Sequence, residues 1–220
     1  MSITRKNKTL KILPIMAVLF WIGCEDLDIA DPNNPTAETA TVQSLVTGAE
    51  AYLRVDIGVY LRDLLVVGRE AYYFENADPR YTGELMRGPI DPGGFLCNRP
   101  WATNYKVIQN CLLLAESGDD GASGVGKTFH AYALMRVLSL TAENGARLNY
   151  DGDIDVALSS EAEVWTAIEG LLDGGYSDLN SASSFSFTLS SGFDGFDTPA
   201  TFAQFNRALR ARVAVHQSDW

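Results

Sequence analysis

The chain has 220 residues, 46% of them hydrophobic and 10% aromatic, with a formal net charge of −11. That composition supplies a substantial core and excludes general disorder. The acid excess repels phosphate backbones and argues against nucleic acid as a partner.

The first 24 residues carry the densest information. Arg5, Lys6, Lys8 and Lys11 precede an uncharged apolar run from Ile12 to Ile22, which ends in Gly23-Cys24. Glu25, Asp26 and Asp28 follow at once. A basic start, a short apolar stretch and a small residue make a secretory leader, and eleven apolar residues are too few to span a bilayer as a helix. Gly23-Cys24 resembles a bacterial lipobox, with Trp21 where leucine is usual. The resemblance implies a leader over 1–23, acylation of Cys24 as a lipid anchor, and an acidic tether over 24–36. The alternative is ordinary cleavage near Gly23 with Cys24 incidental. Several acyl chains anchor a protein firmly, whereas one holds only marginally. Without residues 1–23 the net charge becomes −15, and no apolar run long enough for a transmembrane helix follows Cys24.

The folded region is expected over 37–220 and to be mainly α-helical. Thr36 is a plausible N-cap with Glu38 in the first turn. Val42, Leu45, Val46, Ala49, Tyr52 and Leu53 then repeat at helical spacing, and a second segment carries Leu61, Leu64, Leu65, Gly68 and Tyr72. Residues 75–100, rich in Pro and Gly, read as a long loop, and loops of that length are often functional. Helical spacing resumes at Trp101, Tyr105, Ile108 and Leu112. A further helix is predicted from about Val125 to Glu143, stopped by Asn144-Gly145. Another spans Glu161 to about Asp173, and the last starts near Thr198-Pro199. Residues 181–199, rich in Ser, Gly and Phe, read as an ordered or semi-ordered loop. Paired helices of similar length predict stacked helical hairpins like tetratricopeptide repeats, with long loops.

Four patterns bear on chemistry. Gly121-Ala-Ser-Gly-Val-Gly126-Lys127-Thr128 matches the phosphate-loop pattern, but that loop needs a buried strand before it, and the upstream segment is helical. A connecting loop, with Lys127 and Thr128 opening the next helix, is the competing expectation. Asp151, Asp153 and Asp155 have calcium-loop spacing, but Val156 and Ala162 stand where glycine and glutamate are needed. His130 and His216 are the only histidines, so no metal site, cofactor or catalytic constellation is expected. Cys97 and Cys111 could pair in an oxidising compartment; two reduced thiols is the simpler expectation. The long loop gathers Tyr72, Tyr73, Phe74, Tyr81 and Phe95 near Arg80, Arg87 and Asn98. Aromatic faces stack on sugar C–H faces while amides and guanidinium groups bond hydroxyls. Tyr73, Phe74, Tyr81 and Asn98 are the candidate ligand contacts, against the alternative that these rings pack as core.

Several segments, in order, resemble the N-terminal part of the SusD/RagB family of outer-membrane nutrient-binding lipoproteins. They are the acidic stretch after Cys24 with Asp31-Pro-Asn-Asn-Pro, Trp101-x3-Tyr105-x2-Ile108-x-Asn110-x-Leu112-Leu113, and Thr128 to Arg136. Val164-Trp165 with Ile168, Leu171 and Leu172 follows, then Phe205-Asn-Arg-Ala-Leu-Arg-Ala-Arg-Val213 and Ser218-Asp219-Trp220. The resemblance spans nearly all of residues 24–220, and family members are about twice as long, so the C-terminal half would be missing here. It implies a helical platform, a TonB-dependent (SusC-like) transporter as partner, and an oligosaccharide or other nutrient as ligand. It further implies no catalysis, and a lipid-anchored, surface-exposed place on the outer membrane. The alternatives are a lipoprotein scaffold that binds only protein, or a phosphate-loop nucleotide hydrolase.

Overall fold

A computed structural model describes residues 39–72, 77–87, 89–91 and 93–218. The leader 1–23, Cys24 and the tether 24–36 lie outside the described residues, as do Tyr73 and Phe74. The chain divides after Ala40, and the helices described all belong to the unit beginning at Thr41. They are α1 Val42–Arg54, α2 Ile57–Val67, α3 Arg80–Leu85, α4 Phe95–Ala115, α5 Asp120–Thr141, α6 Glu161–Ser181 and α7 Pro199–Gln217. The fold is mainly α, as the spacing predicts, and among the described residues the only β pairing is a bridge between Ala146 and Ser159. α1 packs on α4, α4 on α5, α5 on α6 and α6 on α7, with α5 at the centre of the series.

Caps set most of the helix starts. Thr41 caps α1: its hydroxyl accepts the Ser44 N–H at 3.1 Å, while Thr36 and Glu38 lie outside the described residues. Ser160 and Glu163 form a reciprocal capping box at α6, and Thr198 with Pro199 opens α7 where the sequence predicts it. The expected loop over 75–100 holds two helical pieces, α3 and the start of α4. α4 begins at Phe95, well before Pro100, because the Glu84 carboxylate accepts the Leu96 N–H at 3.0 Å and caps the extra turn. Cys97 therefore lies in a helix rather than a loop, and Cys97 and Cys111 are both free thiols.

The phosphate-loop pattern lies inside α5, so neither a phosphate cradle nor a connecting loop forms there. Asp119 caps the helix by accepting the Ala122 N–H at 2.9 Å, and Gly121 to Gly126 are buried. These glycines permit close helix contact. A methyl group built on Gly124 would lie 2.6 Å from Leu179 Cγ and 3.0 Å from the Gly175 carbonyl oxygen of α6. One built on Gly126 would lie 2.8 Å from Leu114 Cβ of α4. Lys127 ion-pairs with Asp178 at 2.6 Å, and the same carboxylate oxygen accepts the Ser123 hydroxyl at 2.7 Å. α6 runs on through Gly174-Gly175 to Ser181, past the expected stop at Asp173, because Gly175 is the partner of Gly124 in this contact. Glycine within a helix costs about 1 kcal/mol relative to alanine, and interhelical packing overrides that here.

The segment after α6 is fully ordered. Phe185, Phe187 and Phe193 join Phe129, Phe202 and Phe205 in one aromatic cluster, with Phe129 and Phe202 meeting edge to face at 5.7 Å. The same segment reaches α1, where Glu50 accepts from the Ser190 N–H at 2.9 Å and Gln43 from the Thr188 N–H at 2.8 Å. Substituting Gly124→Ala should destabilise the protein by about 1–3 kcal/mol in urea unfolding, since the added carbon meets backbone and a buried leucine. A mobile loop at this position would accept alanine with no loss.

Candidate functional site

Two grooves meet on the outer side of α4, and both are lined by Trp101. The first, about 690 Å³, runs from Ile90, Cys97 and Asn98 across to Leu140, Asn144 and Leu158. The second, about 470 Å³, lies between α4 and the segment 147–154. Its walls are Trp101, Tyr105, Lys106 and Gln109 from α4, with Arg147, Asn149 and Tyr150 opposite. The α4 contribution is a second helical stripe (98, 101, 102, 105, 106 and 109) beside the buried stripe of Val107, Ile108, Cys111 and Leu114.

The wall opposite α4 is fixed by local bonds. Gly145 at φ +70° ends the short 3₁₀ turn Ala142–Asn144, and a methyl group there would collide with the Ser159 carbonyl at 1.8 Å. Only glycine fits. Tyr105 clamps Arg147, two residues on: its hydroxyl accepts the Arg147 N–H at 2.8 Å and donates to the Arg147 carbonyl at 3.2 Å. Tyr150 turns its hydroxyl to His130 Nε2 at 2.9 Å, and its ring lies 5.3 Å from the imidazole. Burial pushes the Tyr150 phenol well above its ordinary value and the His130 imidazole down to about 4, so His130 is neutral at physiological pH.

The surface offered is aromatic with amides on its rim. Trp101 is half-buried and lies 4.5 Å from Tyr105, centroid to centroid. Ile90, Ile154 and Leu158 on the rims are exposed. Asn149 Oδ1 accepts the Asp151 N–H at 2.9 Å, and Asn144 uses its N–H₂ on the Thr141 carbonyl at 3.0 Å. Such a surface can stack on an apolar ring face and bond hydroxyls around its edge.

Of the four sequence-predicted contacts, Tyr81 and Asn98 are among the described residues, and they lie in different surroundings. Tyr73 and Phe74 lie outside the described residues. Tyr81 is a correction: it is 3% exposed, packed with Val66, Leu85 and Leu96 beneath the guanidinium of Arg62. Asn98 is exposed and lines the first groove. Of the other loop aromatics, Tyr72 is exposed, and Phe95 is sandwiched between the guanidinium groups of Arg80 and Arg99, 4.2 and 4.9 Å from its centroid. Sequence reasoning assigned Trp101 and Tyr105 to packing and missed the groove. The Asp151, Asp153 and Asp155 cluster forms successive turns in which each of the first two carboxylates accepts the N–H two residues on. Among the described residues no group of acids, histidines or cysteines is arranged to hold a metal, and no helix is long and apolar enough to cross a membrane.

Behind the first groove sits an uncommon buried acid. Asp63 of α2 is 2% exposed and among the described residues neither carboxylate oxygen has a hydrogen-bond partner, while Leu61 and Leu65 of the same helix are 50% and 42% exposed. Val66, Tyr81, Leu85 and Leu96 form the adjoining apolar cluster, against which Cys97 packs. Desolvation raises the Asp63 carboxyl from 3.8 to about 7, with Arg62 opposing and Glu84 adding to the rise.

No protein-family model, curated protein or solved structure matches this chain.

Asp63 and His130 pull stability in opposite directions. The Asp63 value is raised on folding, so its contribution is complete below about pH 4 and is lost as pH rises toward 7. The His130 value is lowered from 6.5, so its contribution is complete above that pH and is lost as pH falls toward 4. Each is worth roughly 3–4 kcal/mol at most, and between about pH 4 and 6.5 they offset. Urea unfolding of Asp63→Asn should therefore show stability rising with pH across that window, and His130→Gln should show it falling. Identical profiles in both variants would refute the assignment.

Proposed function

We propose that the chain is an envelope lipoprotein, anchored through Cys24, that captures a glycan or other nutrient on the Trp101 surface and hands it to a TonB-dependent transporter. The observation that carries this reading is a groove along α4 that offers two half-buried rings, Trp101 and Tyr105, edged with amides, in a chain whose residues 1–23 read as a secretory leader before Cys24. Capture requires no bond to break. Holding ligand beside a transporter raises its effective concentration there, and the anchor supplies the proximity. The order of segments resembling the SusD/RagB family supports the transporter as partner.

A protein-binding scaffold is the second reading, and the observation that favours it is the outward face of α2, where Leu61 and Leu65 are exposed one turn apart. Glycan binding and partner recovery separate the two. Under the capture reading, calorimetry against a saccharide panel finds a ligand, and Trp101→Ala weakens it about tenfold or more while the melting temperature stays within a few degrees. A panel with no ligand, together with recovery of protein partners through the α2 face, would favour the scaffold.

The anchor is tested separately. Cells fed labelled palmitate should incorporate it into the wild-type chain and lose that label in Cys24→Ser. Label retained in the variant would remove Cys24 from the proposal.

A further inference from the structure

The second groove carries a charge pattern that bears on which ligand it takes. Lys106 and Arg147 both line it, and among the described residues neither has a carboxylate within ion-pair distance. Arg80, Arg99, Lys127, Arg207 and Arg210 are each matched to an acid, whereas Arg54, Arg62, Arg69, Arg87, Arg136 and Arg212, like Lys106 and Arg147, have no ion pair among the described residues; of these, Lys106 and Arg147 are the two that line the groove. Arg147 is half-buried, and its guanidinium donates to the carbonyls of Asp153 at 2.7 Å and Ile154 at 3.3 Å. Those carbonyls hold the guanidinium in place without neutralising it, and a guanidinium has five N–H donors, so others stay available. Lys106 stands across the groove on α4, its ammonium 5.7 Å from the Tyr52 ring.

Lys106 and Arg147 stand on opposite walls of one aromatic groove, and Asp151, Asp153 and Asp155 lie in the segment that bears Arg147. At physiological salt, charges beyond about 8 Å are largely screened, so a bound group senses the charges of these two walls before the rest of the surface. Asp151 Oδ1 accepts the Asp153 N–H at 3.0 Å, and Asp153 Oδ1 accepts the Asp155 N–H at 2.9 Å, both within their own loop.

We propose that this groove takes a saccharide bearing a single carboxylate, a uronic acid, with its ring on Trp101 and its carboxylate between Lys106 and Arg147. The inference rests on the capture reading above and narrows it from glycans in general to acidic ones. A single carboxylate suits the site better than a polyanion, whose further charges would meet the acidic surface outside the groove. Charge-assisted bonds to a guanidinium are roughly twice as strong as neutral ones, so this pairing would dominate selectivity.

The test compares oligosaccharides ending in one glucuronic or galacturonic acid with their methyl esters, titrated calorimetrically into the full chain. Esterification removes the charge and leaves the ring. The free acid should bind about tenfold tighter or more, and the advantage should shrink as salt is raised. Lys106→Met, an exposed position whose change leaves the fold intact, should remove most of the acid-over-ester advantage. Equal affinity for acid and ester overturns the anionic inference and leaves glycan capture standing. Binding of neither, together with silence across the neutral panel, overturns both.

Discussion

Backbone-to-backbone approach along α5 is the constraint on which the remaining architecture depends. Gly124 faces Gly175 so closely that neither position has room for a side chain, and Gly126 meets Leu114 on the opposite side. α5 therefore touches α4 and α6 at once, and its residues are buried nearly all round. A helix in that place cannot present its N-terminal N–H groups to a phosphate. Asp119 already accepts the Ala122 N–H there, and Asp178 neutralises the one lysine of the pattern. A sequence that matches a nucleotide motif has in this fold become a helix-packing surface, because glycine serves close approach as well as it serves a turn.

The position of α5 fixes α4, and α4 carries the groove. Side chains on the inner stripe of α4 lock against α1 and α5, so the outer stripe, from Asn98 through Trp101 and Tyr105 to Gln109, stands on a rigid support. The segment beyond α5 is held across from it by three local devices: the glycine at 145, the Ala146–Ser159 bridge, and the two bonds between Tyr105 and Arg147. Tyr105 thus belongs both to the scaffold and to the surface. Its hydroxyl is spent on Arg147 while its ring remains beside Trp101. Preorganised aromatic surface of this kind costs little conformational entropy when a ligand binds.

Helical content and most helix identities were legible from period alone, since the apolar stripes of α1, α5 and α7 recur at three and four residues. Errors arose where tertiary contacts override local chemistry. Gly174-Gly175 looked like a stop and is instead the partner of Gly124; the Pro- and Gly-rich stretch before Trp101 hid a turn capped by Glu84 from twelve residues upstream. The outward leucines of α2 were invisible for the same reason, because the apolar cluster takes Val66 and Val59 from this helix. The first groove is lined by Asn98, one of the contacts expected from sequence, and by Trp101, which is not among them. Its spacing satisfied the packing stripe, and the separate polar stripe that includes Lys106 and Gln109 was the available signal. Tyr81 shows the reverse failure, a loop aromatic with suitable chemistry that serves the core.

Hydrogen–deuterium exchange on the full chain, run with and without magnesium ATP, tests the central claim most directly. The account predicts that amides of residues 121–128 are among the slowest to exchange and that nucleotide leaves them unchanged. Rapid exchange over 121–128 that slows on adding nucleotide would contradict it, and would return the glycine–lysine–threonine segment to the role of a phosphate cradle.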